Sequence, residues 1–236
     1  MGRAFEYRRA SKEKRWDRMS KTFPKLARAI TMAVKEGGSD PESNSKLRTA
    51  IQNAKSENMP KDNIDTAIKR AEGRDAQDFS EVVYEAKAPH GVLLMIECAT
   101  DNVNRTIANL KTVVNKGGGQ IVQSGSLEFL FSRKAVIEFD KKDDMDIETI
   151  ELELIDYGLD ELEVEDGHVT AYAEFKDFGR ICEGFEKIGI APTSSKLKRI
   201  PNSPQEFTEE QIEEVENLID KLEDDEDVQA VYTNIA

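Results

Sequence analysis

Leu159-Asp160-Glu161-Leu162-Glu163-Val164-Glu165-Asp166-Gly167-His168-Val169-Thr170-Ala171-Tyr172-Ala173-Glu174-Phe175 places a single turn dipeptide between two runs of alternating apolar and polar residues. Alternation with period two marks a strand that buries one face. An Asp-Gly pair between two such runs marks a hairpin, because a tight primed turn needs positive φ at both central residues. Helical spacing flanks the hairpin on both sides. Upstream, Ala135-Val136-Ile137-Glu138-Phe139 reads as a strand, followed by a helix from about Met145 to Tyr157 that Gly158 ends. Downstream, Phe178, Ile181, Cys182, Phe185 and Ile188 share one helical face, Gly189 stops the helix, and Leu197–Ile200 reads as a strand. The order β-α-β-β-α-β is the ferredoxin-like plan.

The segment before this unit is an incomplete version of it. Glu81–Ala88 and Val92–Ala99 read as strands around Pro89-His90-Gly91. A helix with stripe Val103, Ile107, Leu110 and Val114 follows, closed by Gly117-Gly118-Gly119, and strands are expected near Gln120–Gln123 and Ser126–Phe131. A second helix and a closing strand are missing, and the C-terminal segment provides both. Thr208-Glu209-Glu210-Gln211 is a capping box that opens a helix with stripe Ile212, Val215, Leu218, Ile219 and Leu222, and Val228–Ile235 reads as a strand. The expected fold class is therefore α+β: an N-terminal three-helix domain and two ferredoxin-like domains, the last inserted within the second. The expected boundaries are 1–78, 79–133 plus 204–236, and 134–203. Pairing of Val228–Ile235 with a strand from 135–200 would overturn the insertion.

In the N-terminal part, residues 1–20 lack a strong apolar period and read as an arm. The first helix is expected from about Phe23 to Glu36, with Pro24 in its first turn and Gly37-Gly38 at its end. Asp40-Pro41 is expected to start the second helix and Pro60 the third, with Gly73 as a left-handed cap.

The formal net charge is −14, which by itself argues against a nucleic-acid partner. Its distribution reverses that reading. Residues 1–78 carry a net +6 and the remainder a net −20. Such asymmetry points to a polyanion-binding arm on an acidic body. Arg8, Arg9, Lys12, Lys14, Arg15, Arg18, Lys21, Lys25 and Arg28 make the arm cationic, and Tyr7 and Trp16 are interleaved. Lys and Arg gain affinity by releasing counterions condensed on phosphates, and aromatic faces stack on unpaired bases. The alternatives are a solvated charged face and an Arg-rich mitochondrial targeting segment. Glu6, Glu13 and Asp17 count against the second. Arg105, near the start of a helix, is a further contact candidate, with Asp101 read as the helix cap.

Catalytic and metal signals are weak. Gly117-Gly118-Gly119 follows a helix and precedes no Lys-Ser/Thr, so it reads as a turn and not a phosphate loop. His90 and His168 sit at turns, and no Cys/His cluster has metal-ligand spacing. Cys98 and Cys182, 84 positions apart, read as small buried hydrophobes in a reducing compartment. Glu223-Asp224-Asp225-Glu226-Asp227 lacks the glycine and terminal glutamate of a calcium loop and reads as a solvated linker or as a contact for a basic partner. The longest aliphatic run, Val92–Ile96, is too short to span a bilayer. No enzyme, cofactor or membrane association is expected; the chain should be cytoplasmic, and a monomer is the favoured state.

Several segments carry a family resemblance. They include Phe23-Pro24-Lys25-Leu26, Gly37-Gly38-Ser39-Asp40-Pro41, Asn58-Met59-Pro60, Val83-Tyr84-Glu85, Thr100-Asp101-Asn102-Val103-Asn104-Arg105-Thr106, Gly125-Ser126-Leu127 and Asp227-Val228-Gln229-Ala230-Val231-Tyr232. In these the chain resembles the YebC family over nearly its whole length. The resemblance implies three domains and DNA binding with control of transcription. An RNA- or ribosome-linked role in translation is the alternative it carries, and a protein-interaction scaffold is a further one. It implies neither catalysis nor a cofactor. Family members often begin Gly-His-Ser-Lys-Trp, whereas this chain begins Gly2-Arg3-Ala4-Phe5-Glu6-Tyr7 and has its tryptophan at Trp16.

Overall fold

The computed structural model describes residues 15–73, 78–143 and 145–236, with side chains from residue 20 onward. Three helices come first: α1 (Arg15–Gly37), α2 (Ser45–Ser56) and α3 (Lys61–Glu72). The second domain opens with β1 (Ser80–Lys87), a short 3-10 turn at Pro89–Gly91, β2 (Leu93–Thr100), α4 (Val103–Lys116) and β3 (Gln120–Ile121). A 3-10 turn at Glu128–Leu130 leads into the third domain: β4 (Phe131–Asp140), α5 (Ile147–Ile155), β5 (Leu159–Glu165), β6 (His168–Glu174), α6 (Phe178–Lys187) and β7 (Ser194–Pro201). The chain then returns with α7 (Glu209–Glu223) and β8 (Val228–Thr233).

The deciding hairpin forms as its residues dictate. Asp166 and Gly167 both have positive φ, 47° and 83°, and β5 pairs with β6 from Leu159↔Ala173 to Glu165↔His168. The third-domain sheet runs β5-β6-β4-β7, the ferredoxin-like order, with antiparallel neighbours throughout. Its helices cover one face, where Ala135, Ile137, Phe139, Leu154, Ile181 and Phe185 are buried together.

β8 pairs with β2, from Leu94↔Thr233 to Cys98↔Val228, and not with any strand of the third domain. The second sheet is therefore β3-β1-β2-β8, completed by segments on both sides of the insert. It fills the same four positions as the third-domain sheet but in another chain order. β1, first in its domain, occupies the place that β6 holds in the third. Leu94, Ile96, Leu110 and Val114 bury against Val215, Leu218, Ile219, Leu222, Val228 and Val231, so the halves before and after the insert share one core. We propose the domain boundaries at 1–78, 79–133 plus 204–236, and 134–203, with β4 crossing the last of these, since residues 131–133 already pair with β7.

Several local expectations are corrected. α1 does not begin at Phe23: it runs unbroken from Arg15 through Pro24. The proline removes one backbone donor, but Phe23, Leu26, Ile30, Ala33 and Val34 pack into the three-helix core and hold the helix together. Asp40 does not cap α2. It closes a separate turn, accepting from the Ser43 and Asn44 amides. Asn44 is the cap: its side chain accepts from the Leu47 amide at 3.1 Å and donates to the Ala33 and Gly38 carbonyls at 2.8 and 2.7 Å. A Cβ on Gly37 would lie 2.7 Å from the Asn44 amide carbon, which accounts for the glycine there. Gly73 is extended (φ −67°, ψ 149°) and not left-handed, its amide donating to the Arg70 carbonyl. Asn102, not Asp101, caps α4, accepting from the Arg105 amide. β3 is only two residues long, and Ser126–Leu130 is turn and 3-10 structure where a strand was expected. The reason is Glu85, a buried β1 carboxylate that accepts from the Gly125 and Leu127 amides at 2.6 and 2.5 Å and holds that segment as a loop.

The face of the second sheet away from its helices is covered by the segment that leads into β4. Met95 and Tyr232 pack with Leu127 and Phe131, the residue that opens β4. Arg199 of β7 donates to Glu97 of β2 at 2.8 Å. The three-helix domain reaches β7, the sheet-edge strand, through Asn53, whose amide donates to the Ser195 carbonyl at 2.7 Å and accepts from its amide at 2.9 Å. A side chain thus satisfies the backbone groups that an edge strand leaves open.

Candidate nucleic-acid interface

The sequence-derived contact residues fall into three groups. Arg8, Arg9, Lys12 and Lys14 lie outside the described residues. Arg15, Trp16 and Arg18 occupy the first turns of α1. Lys21, Lys25 and Arg28 follow at i, i+4 and i+7, a spacing that puts them on one face of the helix.

That lower part of the cationic strip is turned inward, toward the acidic run between α7 and β8. Lys21 pairs with Asp224 at 2.5 Å while keeping 44% of its side chain exposed. Arg28 is 13% exposed and pairs with Asp227 at 2.9 Å. The same guanidinium donates to the Ala99 and Glu226 carbonyls at 2.6 and 2.8 Å and stacks 4.5 Å above the Phe79 ring. Arg28, expected as a phosphate contact, is thereby committed to joining α1 to the second domain. The acidic run, expected as a solvated linker or a contact for a basic partner, has this chain's own basic helix as its partner.

Asp227 is the centre of the junction. Besides Arg28, it accepts from Arg105 at 2.8 Å, Thr106 at 2.7 Å and Thr100 at 3.0 Å. Burial would push its pKa up, but the hydrogen bonds from Arg105, Thr106, Arg28 and Thr100 outweigh burial and hold it at about 2. A carboxylate bonded this fully offers no free base and no proton near neutral pH. It serves as a joint. Arg105 also pairs with Asp101 at 2.7 Å and remains 49% exposed, so part of its guanidinium faces solvent. Hydrogen bonds to Asp227 and Asp101 raise its pKa further.

The sequence contained both halves of this joint, Thr100 to Thr106 and Asp227, without showing that they meet. Their contact depends on β8 pairing with β2, across the whole length of the inserted domain. Sequence reasoning also missed Glu85. The available signal was a lone acid at a position where β1 should bury an apolar side chain.

Elsewhere the chemistry is sparse. A cleft of about 270 Å³ lies between the three-helix and third domains, lined by Thr49, Gln52, Cys182, Glu186, Pro192 and Ser195 among others. Burial pushes the Cys182 thiol up to about 11, and that of Cys98 up to about 12, so neither supplies a thiolate nucleophile at neutral pH. Among the described residues no His, Cys, Asp and Glu cluster could hold a metal ion. Among them, too, no helix is long and apolar enough to cross a membrane.

Fold and site together define a three-domain α+β protein in which a basic N-terminal helix is docked on an acidic body. The chain belongs to the TACO1/YebC family: the family's N-terminal domain matches residues 3–74, and its second and third domains match residues 79–235. It is 61% identical to a "Probable transcriptional regulatory protein" of Wolinella succinogenes, with 100% of both chains covered. A relative of the same description from Campylobacter curvus is 59% identical, again over 100% of both chains. Among solved structures, a conserved hypothetical protein from Aquifex aeolicus is similar at a TM-score of 0.82 and 34% identity, covering 94% of this chain and 92% of that one.

Proposed function

We propose that the protein is a cytoplasmic, non-catalytic regulator of transcription that binds duplex DNA through its N-terminal arm and the first turns of α1. The observation that carries this reading is the charge asymmetry, a net +6 in residues 1–78 against −20 in the rest. The unbroken course of α1 supports it. α1 is continuous from Arg15 through Pro24, so the positions of Arg15, Arg18 and Lys21 all fall on the opening turns of one helix. Phosphate contacts position such a protein and supply much of its affinity without reading sequence. The half-exposed Arg105 is a further phosphate contact in this reading. The names of the relatives, "Probable transcriptional regulatory protein", support the same class of function.

The test is crosslinking in cells followed by sequencing of both the DNA and the RNA recovered. Recovery of discrete promoter DNA is the expected result. Recovery of ribosomal RNA alone would replace the transcriptional reading with a translational one. In the variant Arg15→Glu/Arg18→Glu/Lys21→Glu, recovery should be lost while the thermal unfolding profile is kept. Retained recovery would show that the arm and α1 are not the contact.

A further inference from the structure

The basic strip of α1 and the acidic run Glu223–Asp227 face one another, and their contacts differ in kind. The Arg28–Asp227 contact is buried and reinforced by Thr100, Thr106 and Arg105. The Lys21–Asp224 contact is half exposed on both sides, 44% and 55%, and stands at the rim. An exposed ion pair contributes only about 0–1 kcal/mol and is screened by salt. The first is a permanent joint; the second can exchange partners.

We propose that the acidic run is a built-in competitor for the nucleic-acid surface: Asp224, with its neighbours Asp225 and Glu226, occupies the inner end of the cationic strip, and phosphate must displace it. The proposal rests on the nucleic-acid reading given above and adds regulation to it. Its physical basis is the chemical likeness of the two anions. A carboxylate on the strip and a backbone phosphate both neutralise the same ammonium group. While Asp224 holds Lys21, that lysine contributes nothing to counterion release, so the phosphates neutralised on binding are fewer by one. The run also carries neighbouring negative charge that repels an approaching polyanion over about a Debye length, ~8–10 Å at ordinary salt. The arrangement weakens attachment to arbitrary duplex and favours ligands that supply enough contacts through the outer arm to evict the run.

The test uses the full chain and two probes, a 30-base-pair DNA duplex and a single-stranded RNA of the same length, titrated from low to moderate salt. The variant Asp224→Asn/Asp225→Asn/Glu226→Gln keeps the Asp227 carboxylate, and asparagine at 225 retains an oxygen for the Asp227 amide, from which Asp225 accepts at 2.9 Å. Its affinity for the probe that the wild type binds should rise about three- to ten-fold. The slope of log affinity against log salt should steepen by about 0.9 for duplex or 0.7 for single strand, the value of one added phosphate contact. Adding Lys21→Gln to this variant should remove both gains. Unchanged affinity and slope in the acidic-run variant, with wild-type binding intact, would overturn the competitor while leaving the nucleic-acid reading standing. Gains that survive Lys21→Gln would also overturn it, because they would come from net charge at large. Absence of binding to either probe by wild type and variant alike would bring down the nucleic-acid reading and the competitor with it.

Discussion

Asp227 has its hydrogen-bonding capacity filled by two arginines and two threonines while only 4% of its side chain is exposed. A buried ion pair is weak evidence for net stability, but removing one partner leaves uncompensated charge behind. Asp227→Asn is therefore expected to destabilise the protein by about 2–4 kcal/mol, seen as a lower urea midpoint with an unchanged slope. The carboxyl also makes stability depend on pH. Its folded pKa of about 2 lies below the unfolded value of about 3.9, so its contribution is fully present above pH ~4. That contribution, about 2–3 kcal/mol, should disappear as the pH falls from ~4 toward ~2. Equilibrium unfolding across that range should show the loss in the wild type and a flatter profile in Asp227→Asn; equal slopes would remove Asp227 from the account. None of this was legible at the residue. In the sequence Asp227 is the last acid of an acidic run, and only its register beside β2 sets it apart from its neighbours.

At the scale of elements, helices and strands were legible where one period dominated, and their ends were not. The stripe Phe23, Leu26, Ile30 and Val34 located α1, while Pro24 misled about its start, because a proline is as good a first-turn residue as it is a poor interior one. Packing decided between the two. Pro24→Ala should restore the missing amide and stabilise the protein by about 1–3 kcal/mol, raising Tm. A lower Tm would mean that the proline shapes α1 in a way its neighbours need. Caps were misplaced by one to four residues, Asp101 for Asn102 and Asp40 for Asn44, since runs of Asp, Asn and Ser offer several oxygens of similar reach. The loop at Ser126–Leu130 was read as a strand because the partner that shapes it, Glu85, lies forty residues away across the sheet.

For the whole molecule, the repeated α+β pattern and the unpaired remainder of the second unit were enough to foresee that one domain interrupts another. The two sheets bear this out. What the sequence could not supply was the relation between domains. The contacts that set it, Asn53 to Ser195, Arg199 to Glu97 and Arg28 to Asp227, join residues that carry no pairing signal of their own. The core shared by the halves before and after the insert makes a further prediction. A chain cut after residue 203 loses Val215, Leu218, Ile219, Leu222, Val228 and Val231 from that core and leaves one edge of β2 without its partner. Amide exchange should then be fast throughout β1 and β2 and slow in β4 and β6. Slow exchange retained in β1 and β2 would mean that the first half stands alone.

The interruption also sets a timetable. On the ribosome, the hairpin of β1 and β2 emerges first and waits, with a bare strand edge, while the whole third domain is made. The third domain has all its strands in one stretch and can fold as it appears. Only when α7 and β8 follow does the earlier hairpin gain its second helix and its last strand. The acidic run arrives with them, so the basic helix made at the outset stays unguarded until late in synthesis. A nascent chain of this design passes through a stage in which Lys21 and Arg28 of the basic helix and the outer edge of β2 are all open, and the one segment from Glu223 through β8 closes them.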